Sequence, residues 1–204
     1  MSDGPGSADD PVIVVSGLPR SGTSLLMQVL LAGGIPVLAD GLRAADTSNP
    51  RGYFEYEKVK RLAADNSWLG EARGRALKVI APLLPFLPSG PRYRVLFLQR
   101  DMGEVLRSQS AMLRALGQSP GGDDAALAAA FEAQLATARE FLGRQPLTAV
   151  ETVDHRDLLA EPGTVIDRIV RFLERPDLDR EAMIGAIDPQ LYRSRTAGFD
   201  PIPR

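Results

Sequence analysis

Four short, nearly continuous apolar runs punctuate the chain: "VIVVS" at Val12–Ser16, "ALKVI" at Ala76–Ile80, "YRVLFLQ" at Tyr93–Gln99 and "LTAVETV" at Leu147–Val153. Runs of this length predict buried strands of a parallel sheet. Between them the apolar positions follow a helical rhythm. Leu25 and Met27 to Leu31 continue a glycine turn, Val59, Leu62 and Ala63 follow "YFEYE", and Val105, Met112 and Leu113 follow "RDMGE". In "DDAALAAAFEAQLATAREFL", Leu127, Phe131, Leu135 and Leu142 fall on one face of a predicted packing helix, with Gly121, Gly122, Asp123 and Asp124 as its start signal. Beyond the last strand, "DHRDLLAEPGTVIDRIVRFLERPDLD" predicts two helical pieces broken at Pro162-Gly163, and the proline-rich end an irregular loop able to fold back over a site. Strands alternating with helices give an α/β domain, a three-layer parallel sheet flanked by helices. No repeat or second composition regime divides the chain, so residues 11–204 read as one domain behind a flexible polar tail, 1–10.

Composition narrows the class. A chain of 204 residues with 44% hydrophobic content is large enough for one well-buried domain. The net charge of -2 offers no polyanion-binding surface, so no nucleic-acid partner is expected. The greasiest stretch, Leu25 to Ala39, is interrupted by Gln28, Gly33, Gly34 and Pro36, which argues against a membrane span. With no basic region before the first strand, a cytoplasmic protein is the expectation. Cysteine is absent and His155 is the only histidine, which excludes thiolate and histidine-rich zinc sites; no metal is expected. Lysine occurs only at Lys58, Lys60 and Lys78. The arginine bias fits genome composition as well as planar, bidentate contacts with oxyanions.

Candidate chemistry begins at Gly17 to Ser24, G-L-P-R-S-G-T-S, whose glycines have the spacing of a Walker A loop. A strand ends, the chain turns, and the N–H groups of Ser21 to Ser24 point at an incoming anion, aided by the helix dipole. An ordinary strand–turn–helix connection uses glycines in the same way; the clustered Arg-Ser-Gly-Thr-Ser after a buried strand favours an anion site. In nucleotide-hydrolysing loops a lysine reaches the β- and γ-phosphates. Here Thr23 stands in the lysine position and Arg20 lies within the turn. A second constellation follows in "YRVLFLQRDMGEVLRSQSAML". Arg100 ends a strand, Asp101 and Glu104 form a capping-box pattern, and Ser108 follows Arg100 by eight residues. Taken singly, Arg100 suits a surface salt bridge and Ser108 a solvated helix position. Together they offer a guanidinium fork and a hydroxyl two turns into a helix, a grip for a phosphate.

"GLPRSGTSLL" resembles the 5′-phosphosulfate loop of sulfotransferases that use 3′-phosphoadenosine-5′-phosphosulfate (PAPS), in which the pattern is Pro-Lys/Arg-Ser-Gly-Thr-Ser/Thr. The resemblance implies a P-loop NTPase-like sulfotransferase fold and PAPS as donor, with adenosine 3′,5′-bisphosphate (PAP) as product. It implies that Arg20 contacts the phosphosulfate and assists the leaving group, and that Ser21, Gly22, Thr23 and Ser24 bind the 5′-phosphate. Arg100 and Ser108 match the family's 3′-phosphate motif, and "HRDLLAEPGTVIDRIVRFL" is similar to its strand-to-helix segment near the C-terminus. The cytosolic members carry lysine at the Arg20 position; this chain departs from them and matches many bacterial relatives.

The acceptor side is less specified. Many cytosolic members use a histidine base, but His155 lies where the family has a structural turn, and a capping or surface histidine is its plain reading. In "NPRGYFEYEKVKRL", Asn49 to Gly52 reads as a turn, and Tyr53, Phe54 and Tyr56 put aromatic surface beside Glu55 and Glu57. Some sugar sulfotransferases have a glutamate base in a comparable region and a lysine just before the 3′-phosphate strand; Glu55 and Lys78 fall at comparable places, with Glu57 a second candidate. A partly buried glutamate beside aromatics suits a general base; a helix-start carboxylate and a snorkelling lysine are the plain readings. Tyr53, Phe54, Tyr56 and Trp68 serve equally as an aromatic pocket or as core, and Arg193 and Arg195 as a closing tail or as solvated charges. The implied partner is a small-molecule or glycan acceptor, bearing a hydroxyl or an amine. The shortness of the chain allows a homodimer in which a partner, or the C-terminal tail, completes the pocket. Two other readings stand beside this one: a P-loop small-molecule or nucleotide kinase, and a non-catalytic PAP- or PAPS-binding module.

Overall fold

The computed structural model describes residues 7, 9–42, 52–119 and 122–188. Four strands, β1 (Val12–Ser16), β2 (Ala76–Lys78), β3 (Tyr93–Gln99) and β4 (Thr148–Asp154), form one all-parallel sheet in the order β2-β1-β3-β4. The register pairs Val14 with Leu77 and Val15 with Leu96, and Gln99 with Asp154. The four predicted runs are the four strands, within two residues at each end. β2 stops at Lys78, but its chain keeps pairing with β1 and the turn beyond it. The Val79 N–H donates to Val15 O (3.0 Å) and the Ala81 N–H to Gly17 O (2.9 Å).

Among the described residues six helices flank the sheet: α1 (Thr23–Ala32), α2 (Met102–Ala115), α3 (Asp124–Gly143), α4 (His155–Ala160), α5 (Pro162–Leu173) and α6 (Arg180–Gly185). Strand side chains alternate between two cores. Ile13, Val15, Leu96 and Leu98 pack with α1, α5 and α6 through Leu26, Leu30, Ile166, Ile169 and Met183. Val12, Val14, Val95 and Phe97 face the other way, onto Leu62, Trp68, Leu84, Ala138 and Leu142. These two layers on either side of the sheet make the expected three-layer α/β architecture.

Three expectations change in detail. β4 is an edge strand, so Ala149, Val150 and Thr152 are exposed, and only Val153 is buried; an apolar run does not say which strand ends the sheet. The helical rhythm after "YFEYE" is spent on a single 3-10 turn, Glu57–Arg61, and two further 3-10 turns follow at Ser67–Ala72 and Ala81–Phe86. The break before α5 falls at Glu161, because Pro162 occupies the first helical turn, where its missing N–H costs nothing. The polar-tail reading of residues 1–10 and the Asn49–Gly52 turn lie mostly outside the described residues, and Arg193 and Arg195 lie wholly outside them.

The order β2-β1-β3 reverses the winding between β1 and β3. Such a switch point leaves a crevice at the carboxyl ends of the strands, where ligands bind in open α/β sheets. The loop after β1, Lys78 at the end of β2, Arg100 after β3 and His155 after β4 all emerge at this edge.

Candidate active site

The turn after β1 is built by backbone conformation. Gly17 has φ 146 and Gly22, the N-cap of α1, has φ 104; between them Arg20 takes the left-handed region at φ 69. A β-carbon on Gly17 would stand 2.8 Å from the Leu98 carbonyl oxygen, and one on Gly22 2.5 Å from Cδ2 of His155. Both glycines are therefore required by φ and by close approach. Ser21 closes the turn on itself: its N–H and its hydroxyl both donate to Leu18 O, at 3.1 and 2.7 Å. No side chain caps α1, so the amides of its first turn depend on a partner from outside the helix.

Three of the residues singled out from sequence are brought together here. Nε of Arg20 donates to the Ser108 hydroxyl at 3.1 Å, across 88 residues of chain. Arg100 donates from NH1 to the Arg20 carbonyl at 2.9 Å, and from Nε to Oε2 of Glu104 at 3.0 Å. The Arg100 and Glu104 side chains are only 8% and 9% exposed, so this is a buried ion pair and no surface salt bridge. Ser108 is buried as well. A left-handed non-glycine residue costs of order 1–3 kcal/mol and persists where its surroundings over-determine it. The hydrogen bond from Arg100 is one of the constraints that do so at Arg20.

His155 is neither a capping nor a surface histidine. Asp154 caps α4 through the N–H groups of Arg156 and Asp157, and His155 lies buried beneath Gly22. Burial, reinforced by the positive charge of Arg100, pushes its pKa down to about 3, against the opposing pull of Glu104. The imidazole is a neutral floor under the loop.

The second group lies across α1. Lys78 is nine-tenths buried; its ammonium donates to the Tyr53 carbonyl at 2.8 Å and to the Ser24 hydroxyl at 3.2 Å. That hydroxyl in turn donates to the same Tyr53 carbonyl at 3.3 Å. The Lys78 nitrogen lies 3.8 Å from Oε1 of Glu55 and 5.9 Å from the centroid of the Tyr53 ring. A snorkelling lysine is ruled out, since the head group is the buried end. Phe54, with φ 52, reverses the backbone between Tyr53, whose carbonyl meets Lys78, and Glu55, whose carboxylate approaches it. Glu57 lies elsewhere: its side chain is exposed and paired with Lys60 at 2.7 Å. Trp68 belongs to the core, edge-on to Tyr56 at 5.1 Å.

Sequence reasoning missed three contributors. Glu104 was read as half of a capping box, and its N–H does bond to Asp101 at 3.0 Å, but its carboxylate serves Arg100; the i,i+4 spacing of Arg100 and Glu104 was the available signal. Phe54 is legible in the sequence as an aromatic ring, but nothing there signals its left-handed backbone. Arg139 of α3 lines a pocket beside the loop with Leu18, Ser21 and Arg100, although its helix was assigned only to packing.

Among solved structures, a sulfotransferase domain from the curacin biosynthetic pathway matches 97% of this chain and 94% of its own, with TM-score 0.50 and 16% identity. Mouse sulfotransferase SULT7A1, solved in complex with PAP, matches over 96% of this chain and 70% of its own, with TM-score 0.52 and 14% identity. The chain has the sulfotransferase fold. No protein-family model and no curated protein matches it by sequence. The likeness at 14–16% identity is one of overall fold. No helix among the described residues is long and apolar enough to cross a membrane.

Proposed function

We propose that the chain is a PAPS-dependent sulfotransferase, moving a sulfuryl group from PAPS to a hydroxyl or amine of a small-molecule or glycan acceptor. The observation that carries this reading is the meeting of Arg20, Arg100 and Ser108 at the carboxyl edge of the sheet, beside an uncapped helix N-terminus. The donor set suits the substrate. First-turn amides of α1, with Gly22 and Thr23, take the 5′-phosphate, and the hydroxyls of Ser21 and Ser24 are adjacent. Arg100 and Ser108 take the 3′-phosphate, the group that separates PAPS from ATP. No lysine stands at position 23, which supports a donor with no γ-phosphate to reach.

The chemistry is an in-line displacement. The acceptor oxygen or nitrogen forms a bond to sulfur while the bond from sulfur to the bridging phosphate oxygen breaks, and the electron pair leaves with PAP. Charge grows on the bridging oxygen, where Arg20 and the loop amides stabilise it; in other enzymes losing one such donor costs about 2.7–4 kcal/mol. Glu55 takes the acceptor proton, and Lys78 holds that carboxylate and the developing charge on the sulfuryl group.

Thermal shift with PAP against ATP plus magnesium tests the donor assignment. Selective stabilisation by PAP is expected; selective stabilisation by ATP and magnesium turns the reading to a kinase. Sulfate transfer from PAPS to an acceptor panel then separates an enzyme from a binding module.

A further inference from the structure

Arg100 presents a physical difficulty. A side chain meant for a phosphate is paired with a carboxylate at 3.0 Å, and both are more than nine-tenths buried. Glu104 must weaken the attraction of the site for any anion, so its presence calls for a compensating role. Two facts supply one. A guanidinium buried without a partner is strongly unfavourable, so in the absence of nucleotide some anion has to balance Arg100. And the guanidinium is a rigid, planar fork with five donors, so fixing two of them fixes the direction of all. Glu104 holds Nε; the Arg20 carbonyl holds NH1. The carboxylate is itself anchored, since the Glu104 N–H bonds to the Asp101 cap in the first turn of α2.

We infer that Glu104 is a positioning residue for the 3′-phosphate site: it aims Arg100, and through the Arg100–Arg20 hydrogen bond it ties that site to the turn after β1. The gain from aiming the fork outweighs the attraction lost to the carboxylate, so Glu104 raises discrimination between nucleotides with and without a 3′-phosphate. His155, packed under Gly22 and sensing the charges of both Arg100 and Glu104, closes the same unit from below. This inference rests on the PAPS reading and deepens it.

The test is the ratio of affinities for PAP and for adenosine 5′-monophosphate, measured by calorimetry on the full chain. Hydrogen bonds to charged groups contribute about 1.5–3 kcal/mol, which sets the expected loss of discrimination at roughly 10–100-fold for Glu104→Ala. Glu104→Gln keeps the shape and one acceptor, guards against an unfolded variant, and should lose less, with Glu104→Asp between wild type and alanine. A purely structural role would lower the melting temperature and leave the ratio alone. A folded glutamine or alanine variant with the wild-type ratio, or a higher one, overturns the inference while leaving the PAPS reading intact. If the wild-type chain itself shows no preference for PAP, the PAPS reading falls and this inference with it.

Discussion

The two halves of the proposed site, a donor side and an acceptor side, are built by different means. On the donor side, Arg20, Arg100 and Ser108 sit on a tight turn, a strand end and a helix, and each has a fixed offset from a regular element. On the acceptor side, Glu55 and the Tyr53 carbonyl lie on irregular chain bent at a left-handed Phe54, and meet a lysine on another strand. The donor side is a set of local motifs docked together, while the acceptor side exists only through contacts between distant segments. A nucleotide of fixed shape suits the first construction. Irregular chain, as in the second, can change without disturbing the sheet.

The largest effect is expected at Glu55. As general base it contributes about 10²–10⁴-fold, so Glu55→Gln should lower kcat by that order with PAP affinity unchanged; full turnover in a sulfate-transfer assay would move the role to Glu57 or to another group. Arg100→Ala should do the converse. It should weaken PAP binding by about 100-fold in calorimetry, with a far smaller effect on acceptor binding, as expected for loss of a charge-assisted phosphate contact. Unchanged PAP affinity would sink the 3′-phosphate assignment.

Smaller effects sharpen the view that the donor side is one packed unit. Gly22→Ala puts a methyl group 2.5 Å from Cδ2 of His155 at a backbone angle of φ 104, and should cost about 1–3 kcal/mol of stability by chemical denaturation. His155 gives a pH signature. The unfolded chain takes up its proton near the ordinary 6.5, whereas the folded chain does so only near pH 3. The unfolded state binds more protons between these values, so stability falls as pH drops from about 6.5 towards 3, by up to about 1.4 kcal/mol per pH unit. Denaturation across a series of acidic pH values should show this slope, and His155→Gln should flatten it. A slope unchanged in the variant would mean that the histidine is not held neutral.

Much of the fold could be read along the chain, for identifiable reasons. The strands were found because a strand covered on both faces must be apolar at every position, as Val12 to Val15 are. The turn after β1 was found because only glycine fits φ 146 and φ 104 there. Val150 is as apolar as a residue of a buried strand, yet among the described residues no strand lies beyond β4. The cap expected at Asp101 forms with the Glu104 N–H, but the ion pair of the Glu104 carboxylate is hidden, because capping and ion pairing ask for the same residue type at the same offset from the helix start. The Arg100 that its carboxylate pairs with lies outside the capping motif.

What the sequence determined by itself is everything that depends on neighbours along the chain: the strands, the glycine turn, the helix caps, and the offset of Ser108 from Arg100. Tertiary structure decided which of those pieces touch. It brought Arg20 onto Ser108, put Lys78 between Ser24, Tyr53 and Glu55, and buried His155 beneath Gly22. The physical reason is range. Backbone conformation and strand or helix pattern are set over a few residues, whereas burial and ion pairing depend on which distant segments the sheet order brings to one edge.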